Sequence, residues 1–274
     1  IAASHEWVEA MLASVRSDGD FGPRAEPDQP QDQWAKIVAL YALRSYYAVT
    51  TDQRVLDLMH GYVQFLNRSR PKNILPRLWE HMRGGELLDS ILWLYNRIGD
   101  ENLLRVAERV HADTARWDDS SAPASYHNVN IAQGFREPAR YYLRSGNTSY
   151  LSAARWVFDD VRREFGQVPG GMFGGDEDCR PGYNDPRQAI ETCGMVEQMY
   201  ADQRMLEITG NPFWGDHCEN VTFNSLPAAF MPDMRALRYL TAPNMPVSDR
   251  HNHAPGVKNE GPFMLMNPLS NRCC

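Results

Sequence analysis

The chain has 274 residues, enough for one large domain or two small ones. Its 28 Lys and Arg against 35 Asp and Glu leave a formal charge of −7, which argues against a nucleic-acid partner, because phosphates are neutralised by clustered cations. No apolar run approaches the ~20 residues of a membrane span, and five cysteines are too few for a disulfide framework in a chain this long.

Apolar residues recur at helical spacing along most of the chain. The first stripes are Trp7, Val8, Met11, Leu12, Val15 and then Trp34, Ile37, Val38, Tyr41. Val55, Leu56, Met59, Val63, Leu66 follow, then Leu87, Leu88, Ile91, Leu92, Tyr95. Further stripes start at Leu103, Ile131, Leu151, Ile190 and Val221, which predicts about nine helices and no strand before residue 230. Four connections are short and alike: Thr51-Asp52, Gly99-Asp100, Gly146-Asn147 and Gly210-Asn211. Gly suits a helix C-cap and Asp or Asn an N-cap. The recurrence after about 48, 47 and 64 residues indicates a repeated helix-turn-helix unit. An open solenoid and a closed α/α toroid both fit that period.

The other connections, 68–84, 118–127 and 166–185, are long. If the short turns lie at one end of the hairpins, the long loops lie at the other, where His81, Arg83, His127, Asp176, Glu177 and Glu191 are expected to collect. Gly170-Gly171 and Gly174-Gly175 read as a flexible loop, since no strand-helix pattern follows them. After Pro232 the helical pattern fades; Met234 to Leu240 is a candidate short strand, and the tail from Asn244 is expected to fold back over the long-loop end. The expected organisation is thus a helical-hairpin domain over 1–274, with a loop-rich tail, 232–274, carrying the last two cysteines. Ile1 is not an initiator and the chain stops at Cys273-Cys274, so both ends read as cut.

The sharpest chemical feature is Glu191-Thr192-Cys193 together with Cys273-Cys274. Residues at i and i+2 do not share a helix face, so Glu191 and Cys193 converge only at a helix start. Asn184-Asp185-Pro186 just upstream is a helix-start signal. Three thiols and a carboxylate suit Zn²⁺, although the spacing is not that of a CxxC finger, and a buried Cys193 with an incidental terminal pair reads equally well. Cys179 and Cys218 have no suggestive neighbours in sequence. Asp176, Glu177 and Glu191 supply carboxylates for acid/base work. Glu191 follows Ala189-Ile190, so it is expected to be partly buried, which suits a general acid. His127 opens a helix, and His81 lies in Trp79-Glu80-His81-Met82-Arg83, where a ring beside charge suits a sugar hydroxyl. His251 and His253 sit in too irregular a stretch to define a metal site. No P-loop, dinucleotide glycine motif or Gly-x-Ser-x-Gly elbow is present.

Several stretches resemble one family. They are Trp34-Ala35-Lys36 with Tyr46-Tyr47, Arg83-Gly84-Gly85 with Leu92-Trp93-Leu94-Tyr95, His127-x-x-Asn130, Gly174-Gly175-Asp176-Glu177, Glu191-Thr192-Cys193-Gly194 and the late Cys273-Cys274. Together they resemble the bacterial β-L-arabinofuranosidases of glycoside hydrolase family 127 and its relatives, over nearly the whole chain. The resemblance implies an all-α fold, an (α/α)6 barrel followed by β-sandwich domains. Nine helices fall short of twelve and the sandwiches are absent, so the barrel is expected to be incomplete here and the chain alone to be poorly active.

By the same resemblance Glu191 is acid/base and zinc ligand, Cys193 and Cys274 are zinc ligands, and Cys273 is the nucleophile and also touches zinc. His127 and Glu177 would bind the sugar, with His81 beside them. Here Asn271-Arg272 precede the Cys pair in place of the family's longer Cys/Pro run. The implied activity is a retaining glycoside hydrolase releasing β-L-arabinofuranose or a related sugar from plant-type glycans. A carbohydrate substrate and a second copy of the chain, as a homodimer, are the expected partners. Two alternatives share these residues: a polysaccharide lyase or sugar epimerase on the same barrel, which has no need of clustered thiols, and a carbohydrate-binding protein with a closed structural zinc site.

Overall fold

The computed structural model describes residues 2–24, 32–166, 169–175, 177–182 and 188–242. Cys273 and Cys274 lie outside the described residues, as do Asp176, Asn184-Asp185-Pro186, His251, His253 and the tail from Asn244. The chain divides into two compact units, 1–115 and 116–274.

The first unit contains α1 (Ala2–Ala13), α2 (Trp34–Thr50), α3 (Gln53–Ser69), α4 (Leu78–Met82), α5 (Gly84–Ile98) and α6 (Asn102–Asp113). Ile37, Leu40, Leu43, Val55, Met59, Leu87, Ile91 and Val106, the apolar faces of α2, α3, α5 and α6, are all but fully buried. Charged groups brought into this core are paired, as burial demands. Lys36 Nζ donates to Asp20 Oδ1 at 2.6 Å, and Arg16 also holds Asp20. Burial alone would raise the Asp20 carboxyl; the bonds from Lys36 and Arg16 outweigh it and hold the group below its usual range.

The second unit contains α7 (Asn128–Gly134), α8 (Glu137–Ser145), α9 (Ser149–Phe165), β1 (Ile190–Glu191), α10 (Thr192–Thr209), α11 (Phe213–Asn220) and β2 (Leu240–Thr241). A π-helical turn, Val221–Ser225, and a 3-10 turn, Leu226–Ala229, follow α11. Its core centres on aromatic rings: Phe158 meets Trp214 edge-on at 4.8 Å and Phe213 at 5.5 Å, and Phe135 stacks on Trp214.

Eleven α-helices thus stand among the described residues where about nine were expected. One addition is the short α4 inside the 68–84 connection. The stripe expected from Val221 is a π-helical turn, with α11 lying just before it, and the stripe from Ile131 is broken into α7 and α8. Pro138, in the first turn of α8, has no N–H to continue the helix from Gly134. The expected absence of strand before 230 also needs correction, since Ile190–Glu191 pairs antiparallel with Leu240–Thr241. The candidate strand from Met234 is instead a turn: Met234 has φ 58°, and only Leu240 of that stretch joins the sheet.

The four short connections are one turn made four times. Thr51, Gly99, Gly146 and Gly210 have φ between 54° and 70°. Each donates its N–H, at 2.8 Å, to the carbonyl four residues back. The next residue, Asp52, Asp100, Asn147 or Asn211, accepts at its Oδ1 from the amide two residues on, at 2.9–3.0 Å. These bonds use the orphaned groups at both helix ends and close the hairpins α2–α3, α5–α6, α8–α9 and α10–α11.

Candidate functional site

In the second unit the helix ends opposite the short turns carry the acidic and histidine side chains. His127 is the N-cap of α7, and its Nδ1 accepts from Asn130 N at 3.4 Å. A capping Nδ1 needs its lone pair, so the ring proton of the neutral imidazole sits on Nε2. Nε2 lies 3.2 Å from Glu177 Oε2 and can donate to it. Backbone pairing holds the two segments in register. Asn128 N donates to Glu177 O at 2.9 Å, and Cys179 N to Tyr126 O at 2.8 Å, on either side of the bridge between His127 and Asp178. Tyr239 OH donates to the other Glu177 oxygen.

Glu191 ends β1 and is the N-cap of α10. Its strand pairs with Leu240, Thr192 N donates to Tyr239 O at 3.0 Å, and the Thr192 hydroxyl donates to Arg238 O at 2.6 Å. The side-chain atoms of His127, Glu177 and Glu191 that can hold a metal all lie within 4.8 Å of one another. Glu191 is 1% exposed, whereas the Glu177 side chain is 23% exposed. Cys193, two residues into α10, is also buried.

Glycines make this convergence sterically open. A Cβ on Gly194 would stand 1.6 Å from Asn128 Oδ1, and one on Gly175 would meet Cys179 Sγ at 2.7 Å and Asn128 Nδ2 at 3.1 Å. The Asn128 amide is fully buried between the strand leading to Glu177 and the first turn of α10. Gly170 and Gly171 have φ of 88° and 81° and lie against Ser225 and Asn220. His217 Nε2, at 2.8 Å, and Arg162 Nε, at 3.3 Å, both reach Gly171 O. Gly170-Gly171 and Gly174-Gly175, expected from sequence to form a flexible loop, are therefore closely packed, and of the four only Gly175 lies against Asn128 beside the cluster. Gly194→Ala is expected to cost about 1–3 kcal/mol, the range for overpacking a closed core, read as a lower denaturant midpoint with unchanged slope. A midpoint equal to the parent would mean that Asn128 yields freely.

Of the residues expected at this end, His127, Glu177 and Glu191 are brought together. His81 and Arg83 belong to the first unit. There His81 Nδ1 donates to Asp113 O at 2.7 Å, leaving Nε2 as the ring's acceptor, and the Arg83 guanidinium stacks on Trp34 and Trp79, 4.9 and 4.4 Å from their ring centres. Sequence reasoning missed Tyr239, Asn128 and Cys179, which all touch the site. None stands in a motif; each is recruited by a long-range backbone pairing.

The chemistry available is that of two carboxylates, one accessible and one enclosed, with an imidazole between helix cap and carboxylate. An imidazole and two carboxylates are also a donor set that fits zinc, while Cys193 is disulfide-bonded in this structure and would add a sulfur ligand only once reduced.

The family description β-L-arabinofuranosidase, glycoside hydrolase family 127 catalytic domain, matches residues 3–274. Among curated proteins none matches in sequence. Among solved structures, one described as a glycoside hydrolase superposes with a TM-score of 0.74 at 15% identity, covering 98% of this chain and 48% of that one. A β-L-arabinofuranosidase of family 127 from Geobacillus stearothermophilus T6 gives 0.67 at 17%, covering 88% and 45%. An α-1,6-mannanase from a Salegentibacter species gives 0.60 at 15%, covering 80% and 68%. The chain spans about half the length of the first two. At such identities these likenesses establish the fold, a barrel of helical hairpins, and not the chemistry.

Proposed function

The chain belongs to the β-L-arabinofuranosidase family, glycoside hydrolase family 127, by its catalytic domain, and from that membership we propose that it cleaves β-L-arabinofuranosides or closely related sugars from plant-type glycans with retention of configuration. The observation that carries this reading is the meeting of Glu177 and Glu191 with His127 at one point. A retaining hydrolase needs an acid/base and a nucleophile with reactive groups ~5–5.5 Å apart. Cys273 is the proposed nucleophile. Its sulfur attacks the anomeric carbon, the glycosidic C–O bond breaks, and a carboxylic acid gives its proton to the leaving oxygen. Water then attacks the same carbon, yields a proton to the resulting carboxylate, and the C–S bond breaks.

Glu191, Cys193, Cys273 and Cys274 are the proposed holders of a zinc ion, which would keep the cysteine sulfurs as thiolates and restrain them. The enclosed Glu191 carboxylate at the start of α10 suits that role, and the buried Cys193 beside it takes part in its reduced form, since it is disulfide-bonded in this structure. The resemblance assigns Glu191 the acid/base role too. A second reading is favoured by exposure: one carboxylate cannot serve at once as an anionic metal ligand and as a protonated acid, and Glu177 is the accessible one. In that reading His127 and Tyr239 orient Glu177. His81 is proposed as a further sugar contact.

The test is turnover of an aryl β-L-arabinofuranoside by zinc-replete protein, with the first-formed sugar followed by proton NMR. The expected product is β-configured. An α-configured first product overturns retention, and no turnover of any furanoside overturns the hydrolase reading.

A further inference from the structure

A second cleft of about 470 Å³ lies at the start of α9, between residues 118–120 and the Gly146-Asn147 turn. It belongs to the same unit as the catalytic cluster but to the other end of the α9 arm. The cleft is lined from the first eight residues of α9, whereas Glu177 follows the far end of that helix. Seventeen residues at 1.5 Å each separate the two ends by about 25 Å.

Its lining combines two aromatic rings with short polar groups: Trp156 and Tyr150 with Asp118, Asn147, Ser149 and Ser152. Both rings are half-buried, so each is held in place and still shows a face. Tyr150 is braced edge-on by Tyr141 at 5.2 Å. The Asp118 carboxylate is aimed by Arg116 Nε at 2.7 Å. The Asn147 side-chain carbonyl is occupied in capping α9, so the groups Asn147 brings to the lining as a side chain are its amide N–H donors. Trp156 makes no hydrogen bond or ring contact with the described residues. Among the described residues no Lys or Arg lines the cleft, and Arg116 beside it is paired with Asp118, so no free cation is offered to an anionic ligand. A flat ring edged by acceptors and donors is what the apolar face and hydroxyls of a neutral sugar require.

We propose that this cleft is a second, non-catalytic subsite that stacks a neutral sugar unit of a glycan on Trp156. That the glycan is the hydrolase's own substrate rests on the function proposed above. The subsite supplies grip on long chains and adds nothing to cleavage of a small glycoside.

The experiment compares the parent protein with Trp156→Ala and Trp156→Phe. Retention by neutral arabinan in native affinity gels, and turnover of an aryl β-L-arabinofuranoside, are measured side by side. Loss of the indole is expected to weaken retention about three- to tenfold, the worth of one stacked ring. Trp156→Phe should keep most of the retention, and neither variant should change aryl glycoside turnover. Retention of Trp156→Ala equal to the parent, or an equal loss of aryl turnover and retention, overturns the subsite. So does a parent protein that cleaves the aryl glycoside yet is not retained by arabinan, and in that case the hydrolase reading survives. Trp156-dependent retention without any turnover leaves the subsite standing and removes the hydrolase reading. Tighter retention by polygalacturonate than by arabinan overturns the neutral-sugar assignment.

Discussion

Cys273→Ser is expected to lower turnover of every furanoside by about 10³-fold or more, because it removes the group proposed to form the covalent bond to the sugar. Sulfur is the unusual choice for a glycosidase, and its advantage is protonation state. A free thiol has a pKa of ~8.5 and is mostly protonated at neutral pH, while a thiolate is a strong nucleophile. A serine hydroxyl in its place stays protonated at neutral pH and is a far weaker nucleophile. Far-ultraviolet circular dichroism should be unchanged, which separates lost chemistry from lost fold. The covalent step has its own signature. A cyclic sugar inhibitor reactive toward thiols should add its mass at Cys273 alone. Label on Glu177 or Glu191, with Cys273→Ser still active, would replace this mechanism by one with two carboxylates.

The second large effect divides the two carboxylates. Glu177→Gln, if Glu177 is the acid/base, should reduce kcat by about 10²–10⁴-fold on alkyl glycosides, the usual contribution of a positioned acid. It should lose far less on nitrophenyl glycosides, whose leaving group needs no proton. The alkaline limb of the kcat/KM profile should disappear with it, since that limb reports loss of the acid's proton. Zinc content should match the parent. Glu191→Gln should instead lower bound zinc and depress turnover equally for both leaving groups. The reverse pattern, leaving-group rescue in Glu191→Gln with zinc retained, returns the acid/base role to Glu191. The structural ground for expecting the first pattern is a contrast in access: Glu191 is 1% exposed at the start of α10, and the Glu177 side chain is 23% exposed beside His127.

The local parts of this architecture were legible in the residues. The turns at Thr51-Asp52, Gly99-Asp100, Gly146-Asn147 and Gly210-Asn211 form as read, because a left-handed C-cap and an Asx N-cap act over four residues and need no distant partner. The places of His127 and Glu191 at helix starts were legible for the same reason. The misread glycines mark the boundary of such reasoning. Gly174 and Gly175 look alike in sequence whether a chain is loose or tightly packed, and only the neighbours, Gln188, Cys179 and Asn128, distinguish the two.

By itself, then, the sequence determined an all-α chain of repeated hairpins, the end of those hairpins where acidic and histidine side chains gather, and the family. Those follow from periodicity, capping and motif, all of which are encoded within a few residues. The run Ala189-Ile190 already pointed to a buried Glu191, and tertiary structure alone decided how fully it is enclosed, that Glu177 stays open, and which groups orient them. Glu177 meets Tyr239 across 62 residues of chain, and Glu191 is enclosed because β1 pairs with β2, 50 positions further on. Such contacts depend on where long segments return in space, and no local propensity records that.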